Sequence, residues 1–120
     1  MFFMKRRKDR AALSPQDAVR GAQDGTVTVI DVREFAEISA SGKARGALHI
    51  PLTRLQQMAD PRHPDHVDAL RPEARIALYC ASGARSGSAQ RMLQQMGYED
   101  AHNIGGLGHW VRAGGQVERI

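Results

Sequence analysis

The chain has 120 residues, 42% hydrophobic and 5% aromatic, with 17 Lys and Arg against 13 Asp and Glu for a formal charge of +4. This suits one domain with an aliphatic core, and the single cysteine, Cys80, excludes an intramolecular disulfide framework. Five of the basic residues and one of the acidic lie within the first ten positions, so the remainder is formally neutral and a nucleic-acid-binding domain is not expected.

Residues 1–10 read as a basic, flexible N-terminal tail, and residues 11–120 as the domain. Met1-Phe2-Phe3-Met4 is too short for the apolar region of a signal peptide, and it precedes the basic run instead of following it. No stretch approaches the length of a membrane span. A cytoplasmic protein is therefore expected, with weak attachment of the tail to an anionic membrane as the alternative.

Ser14-Pro15-Gln16-Asp17 carries a cap, a proline at the first helical position and an acid in the first turn, so a helix is expected to about Ala22, stopping at Asp24-Gly25. Val27–Val32 reads as a β-branched strand with Asp31 and Arg33 at its C-terminal end, the edge where open parallel sheets bind ligands. From Glu34 to Gly46 the pattern is polar and irregular, weakly helical near Phe35–Ile38. Ala47–Pro51 suggests a short strand, Leu52–Met58 a helix, residues 60–65 a loop and Val67–Leu70 a further turn.

Arg75–Tyr79 reads as a buried strand ended by Cys80. Small residues Ala81-Ser82-Gly83-Ala84 follow, and Arg85-Ser86 opens a helix whose Ala89, Met92, Leu93 and Met96 form one apolar stripe up to Gly97. Ala101–Ile104 is a last strand candidate, and Gly105-Gly106 leads into a short helix bearing Leu107, Trp110 and Val111. Strands alternating with helices predict a mainly parallel sheet covered on both faces.

The loop after Cys80 suits an anionic sulfur and an anionic reactant. Small side chains leave the amides of Ala81, Ser82, Gly83, Ala84, Arg85 and Ser86 uncovered, and Gly83 can take the positive φ that curls successive N–H groups around one point. The helix N-terminus favours the thiolate, and Arg85 adds a guanidinium suited to oxyanions. A cysteine phosphatase needs its arginine six positions after the cysteine, where this chain has Ser86; Arg85 comes one position early. The shorter loop makes a smaller cradle, better matched to one sulfur atom than to a phosphoryl group.

This Cys-x-x-Gly-x-Arg-Ser segment resembles the active-site loop of rhodanese-like sulfurtransferases. Ile30-Asp31-Val32-Arg33-Glu34 is similar to the family's first-strand signature, Gly46–Leu52 to its Gly-Ala-x-x-Ile-Pro segment, and Gly97-Tyr98 with residues 103–114 to its C-terminal block. The resemblance runs over roughly residues 12–117 in family order; Gly42-Lys43-Ala44-Arg45-Gly46 departs from the usual Gly-His-Ile-x-Gly.

The resemblance implies an α/β rhodanese-like three-layer sandwich, with a mainly parallel five-stranded sheet and helices on both faces. It implies that Cys80 takes sulfane sulfur from thiosulfate or a similar small donor as a persulfide. A thiol, a protein cysteine or cyanide would then remove it. Residues 81–86 would bind substrate, Arg85 would steer the anionic donor, and Asp31 and Arg33 would support the site structurally. No metal or organic cofactor is implied. A non-catalytic rhodanese-like binding module, and more remotely a cysteine phosphatase or arsenate reductase, are the alternatives. His63 and His66 read as a solvated loop rather than metal ligands, His49, His102 and His109 are scattered, and Trp110 reads as a core anchor.

Overall fold

The computed structural model describes residues 12–120; the basic tail lies outside the described residues. Helix α1 (Pro15–Asp24) begins with the Ser14 hydroxyl accepting from the Asp17 amide at 3.0 Å, and it ends at Gly25. Strand β1 (Thr28–Asp31), helix α2 (Phe35–Ser41), strands β2 (Lys43–Ala44) and β3 (Leu48–His49) and helix α3 (Leu52–Met58) follow. Strand β4 (Ile76–Cys80), helix α4 (Ala84–Gln95), strand β5 (Ala101–Gly106), helix α5 (Leu107–Arg112) and strand β6 (Val117–Glu118) complete the chain.

The central sheet is parallel, in the order β3-β1-β4-β5. Alternation along β4 divides the core into two layers. Ile76, Leu78 and Cys80 pack with Leu55, Ala89, Leu93 and Tyr98 on the side of α3 and α4, whereas Ala77 and Tyr79 pack with Val19, Ile104 and Trp110 on the side of α1 and α5. All five residues of β4 are buried, as a central parallel strand covered on both faces requires. Among the described residues no helix is long and apolar enough to cross a membrane.

The α/β class is the expected one, but the central sheet has four strands among the described residues, where five were expected. Residues 43–44 instead pair antiparallel with 117–118 in a separate two-stranded ribbon. The reason is local: the Ala44 amide donates to the Tyr79 hydroxyl at 2.8 Å, so a side chain ties this segment to the sheet in place of a backbone ladder. Lys43 adds an ion pair to Glu118 and a bond to the Ala47 carbonyl at 2.8 Å. The stretch after Glu34, expected to be irregular with weak helical character near Phe35–Ile38, forms α2, whose first turn is closed by the Glu37 carboxylate accepting from the Glu34 amide at 2.9 Å.

Candidate active site

Cys80 ends the central strand, and its sulfur is approached by the chain that follows. The Gly83 amide donates to Sγ at 3.0 Å, and the Ser86 hydroxyl lies 3.4 Å from it. Gly83 holds φ at 115°, the left-handed conformation that turns the loop back over the sulfur before α4 begins. Space is equally tight on the other side: a Cβ on Gly106 would lie 2.1 Å from the Ala81 carbonyl oxygen. β5 can therefore run beside the loop only without a side chain at that position.

Cys80 is only 1% exposed, and burial by itself disfavours the thiolate. The Ser86 hydroxyl and the backbone N–H groups of Ser86, Gly83 and Ser82 outweigh it, pulling the thiol down to about 7. Thiolate absorbance is thus expected to rise with pH around a midpoint near 7. Ser86→Ala should move that midpoint up toward the ordinary value of about 8.5, because one donor to the anion is lost. An ultraviolet pH titration checks both values; a midpoint unmoved in the variant would remove Ser86 from this role.

Two residues shape the site that the loop motif does not contain. The Asn103 side-chain oxygen accepts from the Gly105 amide at 2.9 Å and lies 2.7 Å from the Ser86 hydroxyl, competing with Cys80 Sγ for its one proton. The Asn103 amide nitrogen donates to the Gly83 carbonyl at 2.9 Å. A register shift between Leu78 and Tyr79 in the β4–β5 ladder accompanies this placement, since Leu78 pairs with Asn103 but Tyr79 with Gly105. The second residue is Glu37. Its carboxylate takes two hydrogen bonds from Arg85, at 2.7 and 2.8 Å, and one from the Glu34 amide at 2.9 Å.

Arg85 therefore sits at a helix N-terminus with its accompanying anion supplied by the protein itself. The Arg85 and Glu34 donors hold the Glu37 carboxyl down at about 2, and Glu37 in turn raises the guanidinium. Attraction between Arg85 and Cys80 acts in the same direction. Neither Asn103 nor Glu37 carries a sequence signal of its own; only the C-terminal block containing Asn103, and the first-strand signature just before α2, marked their surroundings.

Asp31 and Arg33 lie beside this site and not within it. The Asp31 carboxylate accepts from Arg33 Nε at 3.0 Å and Nη2 at 2.7 Å, and also from the Tyr79 hydroxyl. Arg33 donates onward to the Gly42 carbonyl at 2.6 Å and the Ser41 hydroxyl at 2.8 Å. Tyr79 belongs to the layer opposite Cys80, so the network braces the end of the sheet from behind and pins residues 41–44, which lead into the atypical 42–46 segment. Burial and the bond to Asp31 raise the Tyr79 phenol, which stays a neutral donor. Trp110 is buried and donates to the Gln116 carbonyl at 2.8 Å.

Comparison with known proteins bears on this geometry. The rhodanese-like domain matches residues 14–113. The thiosulfate sulfurtransferase PspE of Escherichia coli is 35% identical over 78 residues, covering 65% of this chain and 68% of that protein. The thiosulfate:glutathione sulfurtransferase of Saccharomyces cerevisiae is 32% identical over 109 residues, covering 79% and 72%. A solved structure from Rhodopseudomonas palustris superposes with a TM-score of 0.78 at 31% identity, covering 96% of this chain and 93% of that one. That protein is described as of unknown function and a possible tyrosine phosphatase.

Proposed function

The chain belongs to the rhodanese-like domain family, and from that premise we propose that it is a sulfurtransferase working through a persulfide on Cys80. The donor is thiosulfate or a similar small sulfane-sulfur compound, and the acceptor a thiol or protein cysteine. The observation that carries the reading is the convergence of the Gly83 amide and the Ser86 hydroxyl on a buried sulfur whose thiol is lowered to about 7. Near neutral pH a large fraction of Cys80 is then nucleophilic without a general base.

In the first step the Cys80 thiolate attacks the outer sulfur of thiosulfate. The sulfur–sulfur bond of the donor breaks, its electron pair leaves with sulfite, and Cys80 keeps the outer sulfur as a persulfide anion. In the second step an acceptor thiolate attacks that terminal sulfur, and the electron pair of the breaking bond returns to Cys80 Sγ. Negative charge is present on sulfur throughout, which is the charge that the amides of Ser82, Gly83 and Ser86 stabilise. The names of the two curated relatives support thiosulfate as donor and a thiol as acceptor.

The competing reading, phosphoryl transfer, is raised by the description of the Rhodopseudomonas protein. The loop here argues against it, because Arg85 stands five positions after Cys80 and is already paired with Glu37. Purified protein incubated with thiosulfate is expected to gain the mass of one sulfur at Cys80 and to lose it to excess thiol. Turnover of a phosphate ester without any sulfur gain would replace this reading with the phosphatase one.

A further inference from the structure

Arg85 is the one cation in the Cys80–Ser86 loop, yet both of its terminal nitrogens donate to the Glu37 carboxylate. The pair joins α2 to the start of α4, and about a third of each side chain remains exposed. An ion pair that open to water contributes at most about 1 kcal/mol to stability, so holding the fold together is a poor account of it. Its larger consequence is electrostatic. The positive charge that faces an incoming anion is offset by a carboxylate fixed on the same guanidinium.

We propose that Glu37 is a specificity-determining residue: by pairing with Arg85 it biases the Cys80 site against dianionic sulfur donors and toward donors of lower charge. The proposal rests on the sulfurtransferase reading and deepens it by naming the donor class, monoanionic sulfane-sulfur compounds such as thiosulfonate anions. With a monoanionic thiosulfonate the chemistry is unchanged. The thiolate attacks the outer sulfur, the donor's sulfur–sulfur bond breaks, and its electron pair departs with a sulfinate in place of sulfite. Only the charge brought to the site differs, and Coulombic interaction scales with that charge.

Glu37→Gln isolates the effect. Glutamine keeps a carbonyl oxygen to accept from the Glu34 amide, so the cap of α2 survives while the negative charge is removed. The experiment measures kcat/KM for thiosulfate, a dianion, and for methanethiosulfonate, a monoanion, in the wild-type protein, Glu37→Gln and Glu37→Asp. The ratio of thiosulfate to methanethiosulfonate is expected to rise about tenfold in Glu37→Gln, chiefly through a lower thiosulfate KM, as one unit of charge at a partly solvated site allows. Added salt should erode that gain. Glu37→Asp, which restores the charge, should return the ratio to within about twofold of wild type.

A ratio that stays constant or falls in Glu37→Gln would overturn the proposal, including the case where kcat/KM drops equally for both donors, which would make Glu37 a scaffold residue only. Failure of the underlying reading looks different: wild-type Cys80 would gain no sulfur by mass spectrometry with either donor, and the proposal would fall with it.

Discussion

Cys80→Ser is expected to lose thiosulfate:cyanide turnover by at least about 10⁴-fold, the scale seen when a covalent nucleophile is removed. An alcohol at this position forms no accessible anion near neutral pH and cannot store sulfane sulfur through a sulfur–sulfur bond. The fold should survive, because the serine oxygen can still accept from the Gly83 amide that now lies 3.0 Å from Sγ. Loss of the larger sulfur from the layer it shares with Leu78 and Ala89 should cost about 1–2 kcal/mol. Turnover and a thermal melt measured on the same preparation separate the two effects. Appreciable turnover in the variant would end the persulfide mechanism.

The second large effect is on stability. Asp31→Ala leaves the Arg33 guanidinium, 3% exposed, without its counter-ion and takes the acceptor from the Tyr79 hydroxyl. Breaking a buried pair from one side costs about 3–5 kcal/mol, a large share of the roughly 5–15 kcal/mol that holds a domain together. The melting temperature should fall by more than about 10 °C. Arg33→Met added to Asp31→Ala should recover much of that loss, since an uncharged filler removes the stranded charge. Asp68, whose side chain is fully exposed, is the control, and Asp68→Ala should leave the melt unchanged. A double variant no better than the single one would show that stranded charge is not the cause.

Much of the frame that holds the site was legible along the chain. The unbroken apolar run before Cys80, the cap at Ser14, the apolar stripe of α4 and the Gly-x-Arg-Ser spacing are short-range signals, and each element stands within a few residues of where those signals put it. The ribbon strands β2 and β6 are another matter. They are too short to show a period, and their partners lie more than seventy positions apart. Their ribbon could not be read in advance, nor could the count of four strands in the central sheet.

By itself the sequence determined which residues could do chemistry. A lone cysteine at a strand end, followed by small residues, a glycine able to take positive φ, and an arginine one position too early for a phosphate loop, favoured sulfur over phosphoryl chemistry. The family resemblance narrowed it further. What only the tertiary structure decided is how those groups are charged and held. Glu37 reaches Arg85 across 48 positions of chain, and Asn103 reaches Ser86 across 17. Asp31 and Tyr79, also 48 positions apart, meet on the face of the sheet opposite Cys80. The physical reason is that a periodic pattern reports which face of an element is buried, through burial that every residue of the pattern shares. A hydrogen bond or ion pair is made by two groups alone, and its partner is chosen by where packing brings distant segments of the chain together.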